Sequence, residues 1–304
     1  MNVEETKARR LDATLEEYLD ELRLAGEDKA AVTLAYTHGL HQLWRPVLRM
    51  LPVASESSVL DVGSGLGILA FEVAANVPVH IEGVDLDRGF VGHAETLHDR
   101  LAAAGLFAER ARVRFSVGDV GALDFADESF DLVFVRELFQ FLPDPAQAAG
   151  ELFRVLRPGQ YLCISDMDDQ LRITWPPSSP ALDRLVGSVA DVQSARGGDR
   201  QVGRKLTSYL RSAGFEINSL VVLPEAQHRV VDAGDAERAL IIEQLHAARS
   251  RVLEAGAMEA DSFDSDLEAL EQEAPFEEFR ISARIVVLGQ RPTSGLRALP
   301  ASHA

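Results

Sequence analysis

The chain has 304 residues, 46% of them hydrophobic, so it can bury a large core. Its formal net charge of -18 disfavours a broad nucleic-acid interface, because such a surface must be basic to displace counterions from phosphates. The polar start of the chain argues against a signal peptide, and its single cysteine excludes an internal disulfide. No apolar run approaches the roughly 20 residues that span a bilayer, which argues against a membrane helix. We predict a cytoplasmic protein that binds neither nucleic acid nor membrane.

Residues 1–54 are predicted to form a helical N-terminal cap, because leucines recur there at helical spacing until Pro52. From residue 55 to 166, short apolar segments alternate with helical ones. This alternation indicates a parallel sheet that is buried on both faces. The predicted strands of this core are 58–63, 79–87, 112–119, 130–137 and 160–166.

After residue 166 the alternation loosens, and additions separate the remaining core segments. The later predicted segments are a cap insertion of loop and short helix over 167–202, a core helix and sixth strand over 203–223, a helical acidic insertion over 224–282, a seventh strand over 283–290 and a disordered tail over 291–304.

The sequence VLDVGSGLG, residues 59–67, places three glycines between a strand and a helix. Glycine lets the backbone approach a ligand closely, and the start of a helix offers free N–H donors. A dinucleotide-binding enzyme would prefer the spacing G-x-G-x-x-G, whereas the spacing here is G-x-G-x-G followed by Ile68. A structural turn without a ligand is the plainer alternative.

Two aspartates lie at the ends of the next two predicted strands. Asp85 can accept hydrogen bonds from both hydroxyls of a ribose, whether in NAD or in S-adenosylmethionine. Asp119 can accept a hydrogen bond from an adenine amino group. With Asp61 they would place three carboxylates at the edge where open α/β sheets bind ligands. Asp87 is better explained as a helix cap.

The glycine loop and the two aspartates that follow it along the chain resemble the motifs of class I S-adenosylmethionine-dependent methyltransferases. VLDVGSGLG is similar to the first motif of that family, and GVDLD is similar to its ribose-binding motif. The stretches 118–145 (GDVGALDFADESFDLVFVRELFQFLPDP), 154–166 (RVLRPGQYLCISD) and 203–223 are similar to its later strand motifs. The resemblance implies an α/β, Rossmann-like seven-stranded sheet, mostly parallel with an antiparallel last strand, plus the helical N-terminal cap and the insertions.

The resemblance also implies S-adenosylmethionine as the cofactor and gives residues roles by position. Gly63 and Gly65 would approach the methionine and ribose portions of the cofactor. Asp61 would help to bind its amino-acid end, and Arg136 would face the sulfonium or the methionine moiety. The predicted cofactor-binding set is Asp61, Gly63, Ser64, Gly65, Asp85, Leu86, Asp119, Val120 and Arg136.

Methyl transfer is an in-line displacement at a sulfonium carbon, so no universal catalytic set is expected, although an oxygen or nitrogen acceptor can need a proton removed. Relatives often carry a His pair where this chain has Gln140 and Phe141, and a glutamine can orient a substrate but cannot act as a base at neutral pH. Each candidate also has a plainer structural interpretation. The candidate catalytic residues are His38, His41, Glu137 and Gln140, with Asp166 as a further candidate base.

The carboxylates of DMDD (166–169) could hold Mg²⁺, but side chains that follow a strand into a loop more often form a solvated turn. No metal site is therefore predicted. The segments outside the common core would cover the carboxyl edge of the sheet, with aromatics such as Tyr36 and Trp175 as candidate lining of a pocket for a small or medium organic acceptor.

The sequence therefore predicts a methyltransferase that moves the methyl group of S-adenosylmethionine to an O, N or C atom of a small-molecule acceptor. It resembles the subfamily of ubiquinone and menaquinone C-methyltransferases and of natural-product N- and O-methyltransferases. A peptide or protein methyltransferase, an NAD-dependent oxidoreductase and a non-catalytic cofactor-binding scaffold stay open as alternatives. A homodimer is also left open.

Overall fold

A computed structural model describes residues 3–48, 51 and 53–293 of the chain. Within these ranges the side chains of 3–5, 40–44, 46 and 47 are not described. The predicted tail lies outside the described residues from position 294 onward.

The elements of the described residues follow the predicted order, with strands and helices alternating in the core. The helices are α1 (Val3–Ala25), α2 (Asp28–Leu48), α3 (Ile68–Asn76), α4 (Arg88–Ala103), α5 (Pro145–Val155), α6 (Pro180–Ala195), α7 (Leu206–Ala213), α8 (Ala236–Glu254) and α9 (Ala260–Glu271). The strands are β1 (Ser58–Val62), β2 (His80–Asp85), β3 (Arg112–Val117), β4 (Phe130–Arg136), β5 (Leu156–Met167), β6 (Ile173–Trp175), β7 (Glu216–Val231) and β8 (Phe276–Gln290).

The sheet has the order β3-β2-β1-β4-β5-β8, with β7 along the other side of β8 and the short β6 beside the start of β8. Strands β1 to β5 are parallel, and β8 is antiparallel to its three neighbours. The predicted fold class is confirmed, because a mostly parallel sheet carries an antiparallel last strand. The carboxyl ends of β1, β2, β4 and β5 consequently meet at one edge.

Local sequence signals explain where the helices of the core begin and end. The Asp87 carboxylate accepts hydrogen bonds from the backbone N–H groups of Gly89 and Phe90, so its predicted role as a helix cap is confirmed. Helix α7 ends at Gly214, which has a φ of 108° that favours glycine. The Asp87 cap fixes the exit from β2 at the carboxyl edge, and Gly214 sets the entry into β7 at the opposite edge.

Apolar side chains from the two faces of the sheet form two separate core clusters. One face packs against α1 to α4, through residues such as Leu15, Leu34 and Phe71. The other packs against α5 and α7, through residues such as Leu152 and Leu206. Burial on both faces accounts for the almost continuously apolar strands.

A third apolar cluster joins α6, α8 and α9, which all come from the predicted insertions. Phe263 of α9 is fully buried at this cluster, and Leu185 of α6 and Leu245 of α8 pack with it. Helix α8 also lies against α2 of the N-terminal cap. The additions therefore form a helical layer with its own core.

The structure corrects two boundaries of these additions. The ends of the predicted helical insertion at 224–282 are strand, because β7 continues to Val231 and β8 begins at Phe276. The alternation of polar and apolar residues in EAQHRVV (225–231) suits a strand with two unlike faces, and the acidic charges obscured it. An eighth strand, β6, lies within the predicted cap insertion at 167–202.

Among the helices of the described residues, none is both long enough and apolar enough to cross a membrane.

The third cluster predicts a large stability effect from one aromatic side chain. Replacing Phe263 with Ala should lower the free energy of unfolding by about 3–5 kcal/mol, because it removes a buried ring and leaves a cavity. Urea unfolding followed by circular dichroism measures this change. The exposed neighbour Ser262 provides the control, and Ser262→Ala should stay within about 0.5 kcal/mol of the wild type. Equal stabilities for the two variants would contradict a packed helical layer.

Candidate cofactor and acceptor site

The glycine loop after β1 turns sharply and leaves room above it. Gly63, Gly65 and Gly67 all have positive φ, between 54° and 83°. A Cβ on Gly67 would lie 2.5 Å from the ring of Phe115, so this glycine is required for packing. A Cβ on Gly65 would meet no atom within 4 Å, so the backbone there borders open space in which a ligand can approach.

Asp85 at the end of β2 fixes the shape of this loop. One carboxylate oxygen accepts a hydrogen bond of 2.8 Å from the Gly65 N–H, and the other accepts one of 2.9 Å from the Asp87 N–H. Each oxygen keeps capacity for a further hydrogen bond, since a carboxylate has about four lone-pair sites. The carboxylate is therefore oriented beside the loop in the position predicted for a ribose partner.

Three buried polar atoms near the ends of β1 and β4 have no partner among the described residues. They are Oδ2 of Asp61, Oγ of Ser64 and Nη1 of Arg136. Burial raises the pKa of Asp61 to about 7, and Asp85 adds to the rise while Arg136 opposes it. A guanidinium suits a carboxylate and Asp61 suits an ammonium group, so this donor and acceptor set fits the amino-acid end of S-adenosylmethionine.

The other residues of the predicted cofactor set lie along the same edge. Leu86, directly after β2, is 73% exposed and offers an apolar surface to a flat ring. Val120 is buried in the core, and Asp119 is exposed. One oxygen of Asp119 accepts a hydrogen bond of 2.8 Å from the Gly121 N–H, which shapes the turn after β3. The structure thus brings the predicted set to the ends of β1 to β4.

Glu137 is the first residue after β4 and has a strained backbone, with a φ of 54°. Its N–H donates a hydrogen bond of 2.9 Å to the Ser165 carbonyl, which holds this conformation. Its Oε1 lies 3.0 Å from Nε of Arg284, and its Oε2 accepts a hydrogen bond of 3.3 Å from Gln140. Burial raises the pKa of Glu137, while Arg284 and Arg136 oppose the rise.

A second buried carboxylate, Asp166, lies close to Glu137. Burial raises its pKa well above the ordinary value, and the charge of Glu137 adds to the rise. The backbone N–H groups of Gln140 and Met167 donate to its oxygens at 3.1 and 2.9 Å. Two neighbouring buried carboxyl groups disfavour simultaneous ionisation, so this pair can hold a proton near the end of β5.

Gln140 is buried and connects the β4 turn to the helical additions. Its backbone carbonyl accepts hydrogen bonds of 2.8 Å from the Gln193 side chain and from the Asp199 N–H. Its side-chain amide faces Glu137 and Gln193. These contacts explain a structural role for Gln140 and a role in orienting Glu137.

Tyr36 and Arg284 complete the cluster, and the sequence did not assign Arg284 to the site. Arg284 of β8 donates a hydrogen bond of 3.1 Å to the hydroxyl of Tyr36 on α2, across 248 residues of chain. Burial raises the pKa of Tyr36, and the nearby Glu137 carboxylate adds to the rise, so the phenol stays neutral. The lone arginine in the apolar segment ARIVVLG was the one available signal.

The two histidine candidates lie on α2. His38 is buried, and its Nε2 is 3.1 Å from Oδ1 of Asp12 on α1. Burial alone would raise the pKa of Asp12, but hydrogen bonds from His38 and Arg45 hold it at about 2. The structure therefore places His38 in a hydrogen-bonded contact between two helices of the cap. The side chain of His41 lies outside the described residues.

The DMDD carboxylates after β5 are paired with arginines. Asp168 pairs with Arg204, and Asp169 pairs with Arg200. Within the described part of the chain, no group of three or more His, Cys, Asp or Glu side chains is arranged to hold a metal ion.

Comparison with known proteins places this geometry in a family. Residues 60–164, which run from Leu60 in β1 through the glycine loop to Ile164 in β5, match the family described as "Methyltransferase domain". The matched domain is that of the class I S-adenosylmethionine-dependent methyltransferases, and the cofactor of such domains is S-adenosylmethionine.

Two curated relatives match part of the chain. Methyltransferase GfsG of Streptomyces halstedii is 36% identical over 38% of this chain and 40% of its own. O-methyltransferase resE of Aspergillus sclerotiorum is 30% identical over 58% of this chain and 61% of its own. The chain thus spans about half the length of these relatives.

Among solved structures, the [4+2]-cyclase SpnF has the same fold, with a TM-score of 0.53 and 21% identity. The alignment covers 83% of this chain and 82% of that one. This likeness extends beyond the matched domain into the additions, and it concerns the fold alone.

The pKa of Asp61 predicts a pH dependence of cofactor binding. A cationic amino-acid end favours the ionised carboxylate, so affinity should rise as the pH passes through about 7. The ionised fraction grows roughly ten-fold between pH 6 and pH 8, and the affinity for S-adenosylhomocysteine should rise in proportion. Isothermal titration calorimetry at the two pH values measures the ratio.

Asp61→Asn is the matched control, because it cannot ionise. Its affinity ratio between the two pH values should be smaller than that of the wild type by this same factor. Equal ratios for the two proteins would remove Asp61 from the amino-acid end of the site.

Proposed function

We propose that the chain transfers a methyl group from S-adenosylmethionine to an oxygen or nitrogen atom of a small organic acceptor, with Glu137 as the group that receives the acceptor's proton. The observation that carries this proposal is the buried, strained Glu137 directly beside Arg136, at the end of β4. Transfer to a carbon atom is less well supported, because a carboxylate base matters most for an O–H or N–H acceptor.

The residues that would hold the cofactor are supplied by the loop and the strand ends. Asp85 would bind the ribose hydroxyls, and Leu86 would pack against the adenine. Asp61 and Arg136 would bind the amino-acid end, where their buried atoms Oδ2 and Nη1 have no partner among the described residues. When bound, S-adenosylmethionine supplies a methyl group activated by a sulfonium.

Glu137 combines two properties of a general base. Burial raises its pKa, which makes it a stronger base, while Arg284 and Arg136 oppose the rise and favour the ionised form. Its strained backbone keeps the carboxylate at the end of β4 instead of letting it turn away. Gln140 and Arg284 each contact one of its oxygens and so fix its orientation.

The helical additions support an enclosed acceptor. Tyr36 reaches the site from α2 and bonds Arg284, so the N-terminal cap contributes a side chain directly above the strand ends. The Tyr36 hydroxyl accepts from Arg284 and can donate its own proton to an oxygen of the acceptor. Because α8 packs against α2, the acidic insertion supports the helix that carries Tyr36.

The proposal predicts that Glu137→Gln separates binding from turnover. The variant should lose about 10²- to 10⁴-fold in methyl transfer, because glutamine cannot take up a proton. Its affinity for S-adenosylhomocysteine should change less than about three-fold, since Glu137 is not in the cofactor set. Transfer of label from methyl-tritiated S-adenosylmethionine to a panel of phenols, carboxylic acids and amines measures turnover.

Glu95→Gln, on the exposed side of α4, is the matched control and should transfer label at the wild-type rate. Full activity of Glu137→Gln would refute the role of the base while leaving the methyltransferase itself intact. No transfer by the wild type to any acceptor, with S-adenosylhomocysteine still bound, would instead favour the non-catalytic or non-methylating alternative. This outcome has to be distinguished, because SpnF, which has the same fold, is named as a [4+2]-cyclase.

A further inference from the structure

The hairpin of β7 and β8 extends beyond the carboxyl end of β5 and has two unlike faces. Met167, the last residue of β5, pairs with Arg284, while β8 begins eight residues earlier at Phe276. Along one side of this extension β7 continues to Val231, and on the other side β6 pairs with residues 279–281 of β8. The extension therefore stands above the sheet edge that carries the candidate site.

The face of this extension that contacts α8 is polar and buried. Arg229 of β7 pairs with Glu278 of β8 at 2.9 Å, and with Asp235 and Glu237 at the start of α8 at 2.6 and 3.0 Å. Arg280 of β8, which is also buried, pairs with Glu237. Side chains alternate between the two faces of a strand, so the residues between these lie on the opposite face.

That opposite face is apolar and exposed. Six large apolar side chains, which we call the outer stripe, are each between 39% and 70% exposed. They are Ile173, Trp175, Leu220, Val222, Val230 and Phe279. The registers of β6, β7 and β8 place them side by side on one face, with Trp175 opposite Phe279 and Ile173 two residues away on the same strand.

The arrangement reverses the usual order of a half-buried sheet, in which apolar side chains are buried and polar ones face water. With roughly 100–250 Å² of surface for each side chain, the exposed fractions of the outer stripe amount to on the order of 600 Å². This is the upper end of what monomeric proteins leave exposed, and rim residues bring it close to the ~800 Å² that each partner buries in a specific interface.

Charge restricts what can cover the outer stripe. The chain carries a net charge of -18, so anionic lipid and nucleic-acid surfaces are repelled. On this face between Leu220 and Val230, the ionisable side chains of the three strands are His228 and Glu277, which lie 3.9 Å apart. A second copy of this chain carries the same net charge, but the two copies would meet across a face whose ionisable groups are limited to this one pair. An apolar centre with Trp and Phe is also typical of interface cores.

We infer that the outer stripe is the interface of a two-fold symmetric homodimer, in which the stripes of two copies pack face to face. A two-fold axis brings the same patch of both chains together, so an uncharged stripe is complementary to itself. Pro224 lacks an N–H group and interrupts the free edge of β7, which disfavours the alternative of edge-to-edge strand pairing. The dimer would support the hairpin from the side opposite α8.

Sedimentation equilibrium of the full chain at micromolar concentration tests this interface. The wild type should sediment with twice the mass of one chain. Val222→Lys and Ile173→Lys should each raise the dimer dissociation constant by roughly 30-fold, because each buries a charge within the contact. Lysine makes the net charge less negative, so added repulsion between two acidic chains cannot explain the loss.

Leu24→Lys is the matched control, because Leu24 of α1 is 89% exposed and lies outside the outer stripe. It should leave the dissociation constant unchanged, and S-adenosylhomocysteine titrations confirm that each variant is folded. A monomeric wild type would overturn the inference, and so would a dimer that both stripe variants leave intact. A monomer that floats with phosphatidylcholine vesicles would assign the stripe to a lipid surface and overturn it too.

Discussion

The arginines and carboxylates buried together at the ends of β1, β4 and β5, beside the middle of β8, impose the strongest constraint on this structure. A buried charge is stable only when another charge or hydrogen-bonding group compensates it. Here Arg136 and Arg284 compensate Asp61 and Glu137, and backbone N–H groups donate to Asp166. Arg284 comes from the middle of β8, and the other groups come from the last two residues of a strand or the residue just beyond it. The register of the sheet and the position of the cap helix α2 therefore determine whether these charges are balanced.

The same constraint links the fold to its chemistry. Compensation is incomplete, since buried atoms of Asp61, Ser64 and Arg136 have no partner among the described residues. A ligand that carries both an ammonium and a carboxylate group would satisfy them, and such a ligand also matches the cofactor of the family. Incomplete compensation further leaves the pKa of Glu137 raised, which suits proton transfer beside the bound cofactor.

The sequence predicted the parts of the site that depend on local order along the chain. The glycine loop, Asp85 and Arg136 each follow directly from a strand and its exit, so periodicity and motif order were sufficient. The contact between Tyr36 and Arg284 could not be predicted, because it depends on how a distant helix packs over the last strand. His38 illustrates the converse, since this candidate catalytic residue forms a hydrogen bond with Asp12 within the cap. The strand extensions at 224–231 and 276–282 carried a two-residue alternation, but acidic residues gave these segments the composition of a solvated helix.

A crystal structure of the full chain with S-adenosylhomocysteine tests the site most directly. We expect the ribose hydroxyls within hydrogen-bonding distance of Asp85, the adenine against Leu86, and the amino-acid end between Asp61 and Arg136. Glu137 should border the remaining space beside the sulfur, under Tyr36. A nucleoside bound away from the carboxyl edge, or an Asp61 and Arg136 pair that contacts no part of the ligand, would contradict this account of the fold and its function.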